Sequence, residues 1–351
     1  MSTSVTPSES NGLLNGTYDL YLFYETEELE WRNYKEGEFS TIENTVGYLY
    51  ANSSDVTLSF AGTLVPSNED VGLTGLSASG TYFNRWNLIG NPFPCNAYLG
   101  NGQAFYKMND AGEEIESVVA GTVIAPMEAV FVEATAATFS TTPSRAVGNL
   151  NIKLLSSNKT RSKTLTKEDN AIVTFGEGCT LGKFMLNKDA SKLYIPQDGR
   201  EYAVVNSDYE DELPICFKAL ENGTYTLAID ADNIEMSYLH LIDNLTGTDT
   251  DLLATSNYTF EAKTTDYASR FRLLFRTNDV NDATFAYFNG NEWTVNNEGN
   301  ATLQLIDMMG RILSCQNICG EAKISINQPS GLYVIRLVNG EIYKTQKIVI
   351  K

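Results

Sequence analysis

The sequence predicts an all-β protein: tandem β-sandwiches of jelly-roll or immunoglobulin-like type, closed by a small C-terminal β-sandwich. Apolar and polar residues alternate in short runs such as Thr302-Leu303-Gln304-Leu305-Ile306-Asp307, the period of a strand with one buried face. The runs are rich in Tyr, Thr, Val and Ile, and 26 glycines help to punctuate them, as strands joined by turns require. Few stretches show the three- and four-residue spacing of an amphipathic helix.

Taken in order, Met1 to Asn11 is rich in Ser, Thr and Glu, so residues 1–15 are expected to be a disordered lead-in or linker. Residues 16–146 read as a β-rich module of short strands, from Tyr18-Asp19-Leu20-Tyr21-Leu22-Phe23-Tyr24 through Gly47-Tyr48-Leu49-Tyr50 and Val56-Thr57-Leu58-Ser59-Phe60. Its most distinctive piece is Trp86-Asn87-Leu88-Ile89-Gly90-Asn91-Pro92-Phe93-Pro94. Residues 147–278 hold nine further runs, beginning at Leu150-Asn151-Ile152-Lys153-Leu154 and ending at Phe271-Arg272-Leu273-Leu274-Phe275. Their spacing of roughly 8–12 residues is that of a β-sandwich. Asn278, Asp279, Asn281 and Asp282 supply the turn-forming content of a boundary, so residues 279–286 are expected to be a linker.

Residues 287–351 complete the chain. Met309-Gly310-Arg311 is a turn between two strands, Pro329-Ser330-Gly331 is another, and Asn339-Gly340 separates Leu332–Val338 from Ile342–Ile350. An Asn-Gly pair between β-rich runs signals a hairpin, because both residues tolerate positive φ. Gly331 is expected to serve turn geometry and Gly340 the hairpin.

Composition bounds the function. Hydrophobic residues make up 42%, with 19 Tyr and 16 Phe, so the chain folds rather than staying disordered. No run of about 18 apolar residues is present, so no helix is expected to span a bilayer. The formal charge is −19; residues 301–351 carry six basic against three acidic side chains, which leaves −22 on the first 300 residues. Such acidity repels phosphate backbones and argues against a nucleic-acid partner. Cys95, Cys179, Cys216, Cys315 and Cys319 are odd in number and scattered, which is not a disulfide framework; Cys315 and Cys319 are close enough in sequence to be considered as a pair.

Catalytic templates find no purchase. A Ser-His-Asp or Cys-His arrangement must use His240, the sole histidine, which sits in a strand pattern between Leu239 and Leu241. Carboxylates such as Glu128 or Asp243 are explained by strand-edge hydrogen bonding before a glycosidase pair is invoked. No cofactor is called for. Calcium is the ion that suits the chain best, with Asp208, Glu210, Asp249 and Asp251 as ligand candidates on expected loops; a solvated acidic loop is the alternative. Trp31 and Trp86 are candidates for stacking on sugars or peptides, although Trp86 beside Gly90-Asn91-Pro92 also suits a packing anchor.

The order D-x-x-G-R, G-x-Y-x-x-x-L and K-I-V-I-K at the chain end resembles the C-terminal sorting domain of the type IX secretion system of Bacteroidetes. On the matching positions the resemblance implies a sorting motif of Asp307, Gly310, Arg311, Gly331, Tyr333, Lys347 and Lys351. The Pro-Asn-Pro turn that usually opens that domain is replaced here by Phe288-Asn289-Gly290-Asn291-Glu292-Trp293. The W-N-L-I-G-N-P run, with the P-x-x-A-x-F-V strand at Pro126 to Val132, is similar to an accessory β module found before such tails, and residues 147–278 resemble the jelly-roll-like segment between them. The implied protein is extracellular or attached to the outer-membrane surface, non-catalytic, and concerned with adhesion or spacing. The partners expected of it are the secretion and cell-surface attachment machinery, with a glycan or a host or surface protein as the candidate ligand. The alternative is a carbohydrate-binding or accessory region of a larger secreted hydrolase. No charged-then-apolar leader opens the sequence, so a longer parent is expected.

Overall fold

A computed structural model describes residues 4–26, 31–77, 83–143, 146–156, 166–277, 286–288 and 292–350, apart from 101, 110–111, 113, 177, 187–189, 296, 298, 326–327 and 340–341. The described chain is all-β, with one short 3-10 turn at Tyr34–Glu36. It divides into two compact units, Met1–Arg276 and Thr277–Lys351. No helix among the described residues is long and apolar enough to cross a membrane.

Within the first unit, residues 147–276 build one bent sheet. Its strands follow the order Thr248–Asp251, Met236–Asp243, Phe271–Thr277, Glu210–Lys218, Lys192–Gln197, Arg200–Ser207, Thr166–Phe175, Asn149–Ser156, Gly223–Asp232 and Asn257–Ala262, with Leu181–Gly182 added to Arg200–Ser207. The two ends of this series share a single buried cluster. Phe260 meets Phe217 at 5.3 Å and Phe271 at 4.9 Å between ring centroids, so the sheet doubles over itself as a sandwich. The hairpin Lys192–Gln197/Arg200–Ser207 stands in the middle of the series, and its two-residue loop Asp198-Gly199 takes φ of 51° and 76°, the values of a primed hairpin turn.

Strand Asn149–Ser156 shows the alternation that makes such a sandwich: Leu150, Ile152 and Leu154 are buried and the residues between them are half-buried. The neighbouring run Ala171-Ile172-Val173-Thr174-Phe175 is buried on both faces, as a strand covered on both sides must be. Ala171, Val173 and Phe175 enter the sandwich core. Ile172 points the other way into a second cluster with Phe23, Trp86, Tyr106, Phe131, Phe184 and Val204. Residues 16–146 therefore share a core with the outer face of the sandwich. Polar bonds seal the same junction: Asn170 Nδ2 donates to the Ser117 carbonyl at 3.0 Å, and the Phe184 amide donates to the Tyr106 hydroxyl at 3.1 Å.

The described residues of 16–146 form three small sheets. The W-N-L-I-G-N-P run explains itself here. Trp86 and Ile89 are buried, while two asparagine side chains tie down irregular backbone. Asn87 donates to the carbonyls of Ser77, Arg85 and Ala134, and Asn91 to those of Cys95, Ile124 and Ala125. Two expectations need correction. Val56 to Phe60 forms no strand ladder; its Ser59 amide bonds instead to the Asn11 carbonyl at 3.0 Å. Residues 4–15 are not a free lead-in: Val5 bridges Ile42 through bonds of 2.8 and 2.7 Å, and Leu13 is buried.

The second unit is a small two-sheet sandwich. Ile312–Cys319, Asn300–Asp307, Gly331–Asn339 and Ile342–Ile350 form one antiparallel sheet, and Ala286–Phe288, Trp293–Val295 and Ala322–Ile324 the other. Leu303, Leu305, Ile335 and Leu337 meet Ala286 and Val295 in its core.

Candidate functional site

The D-x-x-G-R sequence folds as a self-contained turn. Asp307 ends its strand, and its Oδ1 accepts the amides of Met309 and Arg311, each at 2.9 Å, while Oδ2 accepts Nε of Arg311 at 2.7 Å. Gly310 takes a φ of 79°, a left-handed conformation that glycine adopts without steric cost. The bond from the Arg311 amide, joined by its guanidinium and the Met309 amide, outweighs desolvation and holds the Asp307 carboxyl below its ordinary range. The turn carries Met308 and Met309 into solvent, Met309 being 80% exposed. With Asp307→Ala, the Met309 and Arg311 amides lose their acceptor and are expected to exchange hydrogen faster while the Leu303 and Leu305 amides stay protected. Unchanged exchange at those two amides would show that the carboxylate does not hold the turn.

The other tail positions serve different ends. The Tyr333 hydroxyl donates to the Pro329 carbonyl at 2.9 Å and its ring is buried in the tail core. Gly331 opens its strand outside the left-handed region, and an added Cβ would lie 3.4 Å from the Tyr333 ring, an ordinary contact; the expected need for glycine there is not met. The register sets Lys347 opposite Val334. Gly340 and Lys351 lie outside the described residues.

Residues 289–351 match the secretion system C-terminal sorting domain. The sorting domain thus coincides with most of the second unit, and it makes this the chain of a secreted or cell-surface protein. No curated protein and no solved structure matches the chain. In the sorting domain Cys315 and Cys319 are free and exposed, on one strand. Four residues of extended chain separate their α-carbons by about 13 Å, beyond the roughly 7 Å reach of a disulfide, so the pairing considered from sequence does not form within the chain.

Upstream of the sorting domain in sequence, the stacking candidates are packed. Trp86 is 6% exposed, stacked on Phe184 at 4.3 Å and edge-on to Tyr106 at 5.7 Å. It is a packing anchor, not an open platform. Trp31 is half-buried with its ring against Phe23 at 5.6 Å. Beside Trp86 lies a cleft of about 420 Å³ lined by Arg85, Glu133, Lys183, Phe184 and Arg200. Its charges are largely matched: Glu133 pairs with Arg200 and accepts the Gly182 amide at 2.9 Å, and Lys183 Nζ sits 2.6 Å from Asp169. Burial pulls the Lys183 ammonium down from its usual range, against the pull of Asp169.

The calcium candidates are dispersed over strands and turns. Glu210 lies on a strand, paired with Arg276, and Asp249 and Asp251 lie on another at the far side of the intervening strands Met236–Asp243 and Phe271–Thr277. Asp249 bonds His240 Nδ1 at 2.7 Å, Asp251 Oδ1 accepts the Leu253 amide at 2.9 Å, and Asp208 sits at an exposed turn. Among the described residues no three His, Cys, Asp or Glu side chains form a group able to hold a metal. His240 stacks on Tyr238 at 4.3 Å, and Glu128 pairs with Lys107 at 2.8 Å. Sequence reasoning missed Phe184, Lys183 and Asp169; in Gly182-Lys183-Phe184-Met185-Leu186 the only hint is a lysine set among apolar residues without strand alternation.

Proposed function

We propose that the chain belongs to an exported, surface-attached protein. In this reading residues 277–351 are the address handled by the export and attachment machinery, and the Met1–Arg276 unit is a non-catalytic body serving adhesion or spacing. The match of residues 289–351 to the sorting domain carries the proposal. The non-catalytic reading is supported by the engagement of its best candidates: Asp243 with Arg270, Glu128 with Lys107, and His240 with Asp249. The burial of Trp86 favours a spacer or protein-adhesive body over a sugar-stacking one.

Deleting Gly331 to Lys351 from an epitope-tagged chain in its own host tests the address. The deletion removes two of the four strands of the larger tail sheet. Protease shaving of intact cells is expected to release the tag from the full chain and not from the deletion variant, while the urea transition of the Met1–Arg276 unit stays in place. Continued surface display of the deletion variant would overturn the proposal.

A further inference from the structure

The edge strand Ile312–Cys319 of the sorting domain has Asn300–Asp307 as its only strand partner among the described residues. Its sequence, Ile-Leu-Ser-Cys-Gln-Asn-Ile-Cys, contains no charge and no proline, the devices that ordinarily keep a sheet edge from pairing with another chain. The opposite edge strand, Ile342–Ile350, carries Lys344 and Lys347. One edge of this sheet is thus guarded and the other is bare.

The ladder fixes which groups the bare edge offers. Cys319 faces Asn300, Asn317 faces Thr302 and Cys315 faces Gln304. One step beyond, the Gly320 amide donates to the Gly299 carbonyl at 2.8 Å. Bonded and non-bonded pairs alternate along an antiparallel ladder, so Ile318 and Gln316 bond inward to Asn300–Asp307. Cys315, Asn317 and Cys319 therefore turn their N–H and C=O groups outward. Their side chains share one sheet face by the two-residue period, opposite the buried Ile318, and both thiols are exposed.

We propose that this edge is a homodimer interface, in which a second copy adds its own Ile312–Cys319 strand antiparallel about a two-fold axis at Asn317. That register sets Cys315 opposite Cys319 of the second copy, and Cys319 opposite Cys315 of the second copy. Directly opposed residues of a bonded pair have α-carbons about 5.5 Å apart, inside the disulfide range of about 4.4–6.8 Å. A shift of two residues loses the correspondence, so the cysteines select the register that the free backbone groups allow. Each bond joins two thiols by exchange with a small-molecule disulfide oxidant: the thiols give up two protons and two electrons, and the oxidant takes them up and leaves as two thiols. Two such exchanges close both bonds. Only the setting rests on the export reading, because disulfides persist outside the reducing cell interior; the geometry does not.

The test uses the purified full chain, incubated with oxidised glutathione and followed by non-reducing electrophoresis and light scattering. The wild type is expected to become a covalent dimer that reductant dissolves. Cys315→Ser alone and Cys319→Ser alone are each expected to stay uncrosslinked, because each leaves its surviving thiol opposite a serine. Mixing the two variants is expected to restore a dimer with one bond, joining Cys319 of one to Cys315 of the other. Self-crosslinking of either single variant, failure of the mixture to crosslink, or a wild type that takes up glutathione and stays monomeric would each overturn the proposal. Because no cell is involved, these outcomes are independent of the surface-display result.

Discussion

Replacing Phe184 with alanine is expected to destabilise the Met1–Arg276 unit by about 3–5 kcal/mol, the range for deleting a well-packed buried aromatic ring. Phe184 comes from the segment after Leu181–Gly182, yet its ring lies within 6.2 Å of Phe23 and within 5.8 Å of Phe83, Trp86, Tyr106 and Phe131. All five belong to residues 16–146, so one side chain of the sandwich block fills the aromatic pocket of the module before it. Its loss leaves a cavity against Ile172, Leu181 and Val204. Urea unfolding followed by tryptophan fluorescence reads the effect, since Trp86 stacks on Phe184. A midpoint shift worth less than about 1 kcal/mol would mean that neighbouring rings collapse into the space and that the cluster is not organised around this residue.

The second large effect belongs to Arg270 and Asp243, both buried in the sandwich. Arg270 Nε donates to Asp243 Oδ1 at 3.0 Å and an Nη donates to Oδ2 at 2.8 Å, a two-pronged pair. Tyr258 and the Leu245 amide complete the carboxylate's bonds, each at 3.0 Å. Asp243→Ala leaves the buried guanidinium with the Glu261 carbonyl at 2.8 Å and Asp266, its remaining charged partner, at 3.4 Å, and is expected to cost about 3–5 kcal/mol, the penalty for breaking a buried pair from one side. Desolvation pushes the Asp243 carboxyl up, but the bonds from Arg270, Leu245 and Tyr258 outweigh it and hold the carboxyl below its usual range. The native state then binds the proton less readily than the unfolded chain. Stability from this group is full above about pH 4 and drains away as pH falls through the native value. Urea midpoints between about pH 7 and 3 are expected to fall less steeply for Asp243→Asn than for the wild type. Parallel slopes would remove Asp243 from the acid limb.

What the sequence reveals depends on how local its causes are. The Asp307–Arg311 turn was legible because carboxylate, amides, guanidinium and glycine all lie within five residues. The strands of residues 147–277 were legible from alternation, and the hairpin at Asp198-Gly199 carries an equally local turn signal. Glu210 is expected on a loop, because acidic runs favour solvent. It lies in a strand, where Arg276 stands directly across the ladder and pairs with it, while Glu212 pairs diagonally with Arg272, which stands opposite Pro214. The parallel pairing of Ile172 with Val204 and the burial of Phe184 rest on contacts far apart in sequence. No period or turn residue announces those, so neither the shared core nor the occupation of Trp86 followed from pattern alone.

The shared aromatic core also bears on how such a chain is inherited. A segment that completes its neighbour's interior cannot be moved to a new gene by itself, since a cut near residue 146 would strip Trp86, Tyr106 and Phe131 from Phe184 and Ile172. A cut after Arg276 severs neither core. Recombination that leaves folded products is therefore expected to exchange the whole of residues 1–276 as one block, with the sorting domain as an interchangeable tail.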